Sequence, residues 1–231
     1  GMSSTALGGT GSGESVQTTD NGASYGVNTA PSKGTIPCFL AGTLIDTDKG
    51  RVAVEALYPG DHVETRDNGN QKIIWTGKRK LTVDESSNPK CRPIRIPANA
   101  LGLGQPTADT YVSPNHRVLI SHPLCHQLFG RREVFVAAKF LVGYHGIGDA
   151  PVALPIEFHH ILLEKHEAIS ANGLGVESLF HGAVASEGFA TSELDAFAPH
   201  EAPARRVLKS GEAQQLVREL QKEKTFHLKV S

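Results

Sequence analysis

The tripeptide Asp-Asn-Gly at residues 67–69 separates two runs of strand-forming residues, His62–Arg66 and Gln71–Trp75. Asparagine and glycine both tolerate positive φ, so Asn-Gly between two such runs is a strong signal for a β-hairpin. Further strand-like segments follow: Pro93–Ile96, Thr110–Val112, Arg117–Ile120, Glu133–Val136, and a last hairpin from about Phe158 to Leu179 that turns near residues 171–173. Many short strands with closely spaced turns predict an all-β domain over about residues 36–182.

The two ends of the chain differ in composition from this domain. Residues 1–35 are mostly Gly, Ser, Thr and Asn, and a segment with so few large apolar side chains predicts a flexible leader. Residues 183–231 begin as a polar linker that contains two prolines. A short amphipathic helix is predicted behind Ser210 as N-cap, and we expect its apolar side to dock on the β domain. Its apolar residues are spaced i, i+3, i+4 and i+7: Ala213, Leu216, Val217 and Leu220.

The composition argues against several classes of partner. The chain has 23 Lys+Arg against 24 Asp+Glu, and a net charge of -1 predicts no general attraction to nucleic acid. No run of about 18 apolar residues occurs, so no membrane span is predicted. No secretory signal peptide is visible, and the composition does not indicate a cellular compartment. The three cysteines are widely spaced and indicate no disulfide framework, although one pair could form and leave a single thiol.

Cys38 stands between Pro37 and Phe39, where the polar leader gives way to the strands. A thiol can attack the carbonyl carbon of the residue before it and exchange the amide for a thioester. The exchange requires that the scissile peptide be polarised, the leaving nitrogen be protonated and the oxyanion be stabilised. The segment Ser-Pro-Asn-His at residues 113–116 places a hydroxyl and a histidine three residues apart on one short bend. Such a segment could perform the first two tasks.

Four motifs in order, within about residues 36–180, resemble one known family. They are Cys-Phe-Leu-Ala-Gly-Thr-Leu-Ile at 38–45, Val-Glu-Ala-Leu-Tyr-Pro-Gly-Asp-His-Val at 54–63, Ser-Pro-Asn-His at 113–116, and the closing stretch 161–176 with its Ala-Asn-Gly turn. The chain thus resembles the Hint domain that hedgehog autoprocessing domains and inteins share. It is also similar to bacterial Hint proteins that carry a short leader and a C-terminal helix.

The resemblance implies a horseshoe-like, pseudo-twofold β fold with Cys38 at its centre. By this analogy Cys38 attacks the Pro37 carbonyl, Ser113 engages the scissile amide, and His116 protonates the leaving amine. His166 matches a family histidine and is expected near the active centre. The resemblance implies no cofactor and no metal, and the expected substrate is the chain's own N-terminal segment. The acceptor that would open the thioester is not identified.

Three departures from the family pattern narrow the expected activity. Pro37 presents a hindered prolyl carbonyl, so cleavage is expected to be slow. Glu177 and Ser178 stand where an intein would carry its His-Asn pair, and a glutamate carboxylate has no amide nitrogen with which to cyclise. Only one short helix follows the domain, so no sterol-binding extension is predicted. The first hypothesis is therefore single-turnover self-cleavage at Pro37–Cys38 without splicing.

A second hypothesis keeps the fold without the chemistry. In this interpretation the chain is a processing-inactive Hint module that serves structure or interaction. Cys38 is then a small buried apolar residue, Ser113 caps a turn, and His116 is a core histidine bonded to the backbone. His166 would only support the closing hairpin.

Two polar clusters have a structural interpretation beside a functional one. The spacing of His122, Cys125 and His126 could seat zinc, but no second ligand pair accompanies them, so a polar loop is predicted. Arg205 and Arg206 are predicted to lie on a solvated approach to the helix and not on a nucleic-acid patch.

Strand alternation makes two further predictions. It places His160 and His166 on one face of a strand and His159 on the other, if no bulge intervenes. It also places Ile73 and Trp75 on one face, where we expect both in the core.

Overall fold

The computed structural model describes residues 37–81, 88, 91–151, 156–182 and 194–229, and side chains as far as residue 223. The predicted leader, residues 1–35, lies outside the described residues, and the three-part division of the chain stays a prediction. The strands of the described part are β1 Phe39–Leu40, β2 Leu44–Thr47, β3 Gly50–Ala53, β4 His62–Thr65, β5 Gly69–Lys80, β6 Ile94–Ile96, β7 Thr110–Val112, β8 Arg117–Ser121, β9 Glu133–Ala137, β10 Gly148–Asp149, β11 Glu157–Leu163, β12 Ala168–Ala171 and β13 Leu174–Glu177. The helices are α1 Pro123–Phe129 and α2 Ser210–Lys229, with 3-10 turns at Val54–Ala56 and Ala138–Leu141.

The strands form one connected sheet in which all named strand pairs are antiparallel. Its order is β10-β6-β7-β1-β11-β5-β4-β2-β12-β13-β8-β9, with β3 added on β2 and a further pairing between β4 and β12. The predicted all-β architecture with a C-terminal helix is confirmed. No helix in the described part of the chain is long and apolar enough to cross a membrane.

The hairpin at residues 67–69 is present, with a longer loop than Asn-Gly alone suggests. Thr65 pairs with Gly69, so three residues form the loop between β4 and β5. Gly69, the first residue after this loop, has φ 62 and occupies the left-handed region, which glycine adopts without strain.

The closing hairpin is shorter than predicted. It joins β12 to β13, and Asn172 and Gly173 both have positive φ, as a two-residue primed turn requires. β11 belongs elsewhere, between β1 and β5. Because β11 ends at Leu163, His166 follows the strand, and the prediction that His160 and His166 share one strand face is wrong.

The prediction of a polar loop at His122–His126 is wrong, because the helix α1 occupies this segment. Pro123 occupies the first turn, and the Nδ1 atom of His122 accepts a hydrogen bond from the Leu124 N–H at 3.3 Å. Gly130, with φ 66, ends the helix. Cys125 is fully buried on the inner side of this helix, so it packs in the core.

Helix α2 docks on the β domain as predicted. Its buried side chains join the main core: Ala213, Leu216, Val217 and Leu220. Ser210 lies within the first turn and is not the N-cap, because the Glu212 carboxylate accepts the hydrogen bond from the Lys209 N–H at 2.9 Å. Ile73 and Trp75 are both buried, as predicted.

The approach to α2 is packed on the sheet, and its arginines are paired. Arg205 is only 20% exposed and forms ion pairs with Asp67 at 2.7 Å and Glu133 at 2.9 Å. The Phe135 N–H donates to the Arg206 carbonyl at 2.8 Å, which ties the segment to β9. The prediction of a solvated approach is therefore wrong for Arg205.

Candidate active site around Cys38

Strand pairing brings three distant segments together at Cys38. The two-residue strand β1 starts directly after Cys38, and Phe39 pairs with Val112 of β7 on one side and with His159 of β11 on the other. Since Ser113 follows Val112 in sequence, it comes beside Cys38. A cysteine at the start of such a strand is held from both sides by backbone pairing.

Ser113 contacts both peptide groups of Cys38. The Cys38 N–H donates to Ser113 Oγ at 3.1 Å, and the Cys38 carbonyl accepts from the Ser113 N–H at 2.9 Å. The His116 N–H donates to the Ser113 carbonyl at 3.0 Å, which closes the tight bend of residues 113–116. The nitrogen that a thioester exchange would release is therefore bonded to a hydroxyl.

The thiol of Cys38 is buried, with 6% of the residue exposed. It lies in a small apolar cluster with four other buried residues: Leu81, Cys91, Ile156 and Phe158. Burial raises the pKa of Cys38 well above its ordinary value, and the Ser113 hydrogen bond and the charge of Arg79 only partly oppose it. The thiol is protonated at neutral pH, so attack requires that its proton leave during the reaction.

His116 lies against Cys38 and is fully buried. Its Nδ1 is 3.0 Å from the Cys38 carbonyl oxygen, and a carbonyl only accepts, so the ring donates from Nδ1. Burial lowers the pKa of His116 to about 4, against the opposing effects of Glu177 and the Cys38 carbonyl. The ring packs on Phe39 with centroids 4.4 Å apart. A neutral His116 thus holds the peptide group that follows the expected scissile bond.

His160 touches the expected scissile carbonyl, a contact that the sequence analysis missed. Its Nδ1 lies 2.7 Å from the Pro37 carbonyl oxygen, and the side chain is 2% exposed. Burial lowers the pKa of His160 to about 3, and the Pro37 carbonyl opposes that shift. Only the pairing of β1 with β11 brings this histidine to Pro37, and no local motif marks it.

His166 contacts Glu177 and the segment that precedes α2. Its Nε2 is 3.2 Å from Glu177 Oε2, and its Nδ1 accepts a hydrogen bond from the Ala204 N–H at 3.0 Å. The Arg117 guanidinium lies 3.0 Å from the same carboxylate oxygen, Glu177 Oε2. The Arg117 backbone N–H donates to Glu177 Oε1 at 2.9 Å. No contact described for His166 joins it to Cys38.

Glu177 is a fully buried carboxylate with charged neighbours. Burial alone would raise the pKa of Glu177, but Arg117 and His166 outweigh it and hold the pKa below its ordinary value. Glu177 is therefore ionised at neutral pH. It also lies close enough to His116 to favour the protonated form of that ring, so the two clusters are electrostatically linked.

The two other cysteines are also buried. Cys125 lies on the buried side of α1, and its Sγ is 3.6 Å from the Ile120 carbonyl oxygen. Cys91 shares the apolar cluster of Cys38. No group of three metal-ligating side chains is found among the residues that the structure describes.

An antiparallel sheet whose first cysteine is bound to a short bend with a hydroxyl residue and a histidine is the arrangement expected of a Hint domain, with Ser113 here in place of the family's threonine. A family model described as Hint domain matches residues 37–183, which is more than half of the chain. The chain belongs to the Hint domain family.

Two solved structures resemble the chain. One is the solution structure of a bacterial intein-like domain from Clostridium thermocellum, with 16% identity and a TM-score of 0.38, covering 60% of this chain and 96% of that one. The other is a class 3 split intein, AceL NrdHF, in a GSH-linked, splice-inactive variant, with 17% identity and a TM-score of 0.41, covering 62% and 97%. A comparison with curated proteins finds no match.

Proposed function

We propose that this Hint domain cleaves its own Pro37–Cys38 bond once, through an N-to-S acyl shift and a thioester, without splicing. The observation that supports the proposal most directly is the position of Ser113. Its hydroxyl accepts from the Cys38 N–H at 3.1 Å and also hydrogen-bonds the Cys38 thiol. One hydroxyl therefore contacts both the group that must lose a proton and the nitrogen that must gain one.

The reaction is an isomerisation, and its atoms balance within the chain. Cys38 Sγ forms a bond to the Pro37 carbonyl carbon, the bond from that carbon to the Cys38 nitrogen breaks, and the thiol proton ends on the released amine. Ser113 can relay that proton, because it bonds to both atoms. The thioester is then opened by an acceptor, and water, a small thiol, an amine and an alcohol are all chemically competent.

The C-terminal side favours cleavage over splicing. Ser178 has no side-chain amide that could cyclise onto the backbone. Its N–H donates to the Glu167 carbonyl at 2.9 Å, and its Oγ accepts from the Glu167 N–H at 3.0 Å. The preceding Glu177 forms an ion pair with Arg117 and lies 3.2 Å from His166 Nε2.

One observation favours the second candidate function, a Hint module without processing activity. The Cys38 thiol is buried and its pKa is raised, while the carbonyl that it would attack belongs to a proline. Both features slow the attack. A slow single-turnover reaction and an inactive interaction module are therefore the two functions to separate.

Intact mass spectrometry of the whole chain separates them. After incubation with excess dithiothreitol or hydroxylamine, we expect a fragment that begins at Cys38 and a partner that ends at Pro37 as the adduct of the added nucleophile. Cys38→Ala should stay intact, and Cys125→Ala, which removes a buried thiol of α1, should cleave like the wild type. A wild-type chain that stays intact as long as Cys38→Ala would overturn the proposal in favour of the inactive module.

A further inference from the structure

The pairing of β1 with β11 places His160 against the peptide group before Cys38. Phe39 pairs with His159 and Leu40 with Phe158, so one further step of the antiparallel register sets Cys38 opposite His160. The imidazole Nδ1 then lies 2.7 Å from the Pro37 carbonyl oxygen. We propose that His160 is the hydrogen-bond donor that stabilises the oxyanion formed on Pro37 during the acyl shift. This inference rests on the proposed self-cleavage.

The contact defines which ring atom carries hydrogen. A carbonyl oxygen has no hydrogen to give, so His160 must donate from Nδ1. Because burial lowers the pKa of His160 to about 3, the ring is neutral near pH 7 and holds its one N–H at Nδ1. A neutral donor in a dry site already points at the oxygen on which charge develops. Such preorganised donors are among the largest contributions to catalysis of acyl transfer.

The electron movements place the charge on the atom that His160 contacts. When Cys38 Sγ bonds to the Pro37 carbonyl carbon, the π electrons of the carbonyl move onto its oxygen. When the tetrahedral intermediate collapses, those electrons return and the bond to the Cys38 nitrogen breaks. His160 keeps its proton throughout, so it acts as an electrostatic donor, while the thiol proton passes to the nitrogen at the Ser113 side.

The sheet holds this donor rigidly. β11 pairs with β1 on one side and with β5 on the other, where His160 faces Gly77. A Cβ added to Gly77 would overlap the indole of Trp75, so the indole ring lies directly over the backbone of Gly77. Arg79 lies close enough to act on both His160 and Cys38, and its positive charge favours an anion between them. Donors on rigid elements keep their geometry through the reaction.

Substitutions at position 160 test the proposal through the rate of dithiothreitol-induced cleavage. We expect His160→Ala to slow cleavage by about 10²- to 10³-fold, the usual effect of removing one oxyanion donor. An asparagine amide nitrogen is as many bonds from the backbone as Nδ1, so His160→Asn should recover most of that loss. His160→Gln places its amide one bond further away and should not. His159→Ala is the matched control, because His159 is directed to Glu157 at 3.2 Å and should cleave like the wild type.

The outcomes separate the inference from the proposed function. If the wild type cleaves and His160→Ala cleaves within about threefold of it, the oxyanion role is wrong and self-cleavage stands. If the wild type does not cleave at all, self-cleavage fails first and the role of His160 fails with it. Nitrogen-15 NMR of the intact Cys38→Ala chain does not depend on any variant at position 160. Hydrogen on Nδ1 of His160 supports the inference, and hydrogen on Nε2 alone overturns it.

Discussion

At the Pro37–Cys38 junction the buried groups are neutral, whereas at the Glu177–Ser178 junction they carry charge. The first junction has a protonated thiol and two histidines whose pKa values burial lowers, His116 and His160. The second has an ionised Glu177 with Arg117 as its partner.

The Glu177–Ser178 junction holds a permanent charge, whereas at the Pro37–Cys38 junction a charge would form only during the proposed reaction. A neutral donor that is not already paired with a charge is available to stabilise a negative charge that forms on the Pro37 oxygen. At the other junction Glu177 is already paired, and Ser178 is bound through both its N–H and its hydroxyl. Under the proposed self-cleavage, the first junction would carry the chemistry and the second would anchor the chain.

Removing the charge from the second junction should give the largest change in stability. Glu177→Gln leaves Arg117 and His166 without their carboxylate, and loss of one partner of a buried pair costs about 3 kcal/mol or more. We expect the free energy of unfolding in urea to fall by that amount. Glu164→Gln is the matched control, because Glu164 is exposed nearby and should change stability by less than about 0.5 kcal/mol. A loss below about 1 kcal/mol at Glu177 would show that the anchor is not electrostatic.

Removing the hydroxyl from the first junction should act on rate more than on stability. Ser113→Ala deletes the group that contacts both the thiol and the nitrogen, and we expect cleavage with dithiothreitol to slow by about 10²-fold. Ser113→Thr keeps the hydroxyl and should stay within about tenfold of the wild type. The alanine variant should lose only about 1 kcal/mol of unfolding free energy. Equal rates for the wild type and Ser113→Ala would exclude the relay.

The two junctions should lose stability in different pH windows. The folded pKa values of His116 and His160, about 4 and about 3, lie below the ordinary 6.5, so the unfolded chain binds more protons as pH falls from 6.5. Stability should then decline by up to about 1.4 kcal/mol per pH unit for each such histidine. Glu177 has a lowered pKa, so its contribution is present above its ordinary 4.5 and is lost only at lower pH.

Urea unfolding of the intact Cys38→Ala chain between pH 7 and pH 4.5 measures this slope. Adding His160→Asn should reduce the slope by the contribution of one histidine. His126→Asn, on the exposed side of α1, is the control and should leave the slope as it was. An unchanged slope in the His160→Asn chain would contradict a neutral, buried His160.

Local patterns predicted the strands better than they predicted the site. Alternation and turn residues found the β4–β5 hairpin and the turn at Asn172, because both signals lie within a few residues. His160 could not be found in this way, since it lies 123 residues from Pro37 and meets it only through strand pairing. The helix α1 was not predicted, although Pro123 and Gly130 are ordinary start and stop signals. Its seven residues are too few for a helical period to stand out in the sequence.

The contrast between the junctions also predicts a change that should have no effect. Ser178→Asn supplies the side-chain amide that an intein would use. The backbone N–H of residue 178 is still bound to Glu167, however. The residue before it is Glu177, paired with Arg117, where an intein would carry a histidine. Cyclisation requires the amide nitrogen to reach its own carbonyl carbon, and a bound, paired segment opposes that movement. We therefore expect no break after residue 178 by intact mass, with dithiothreitol-induced cleavage before Cys38 unchanged. A fragment that ends at position 178 would show that the second junction is as ready for chemistry as the first.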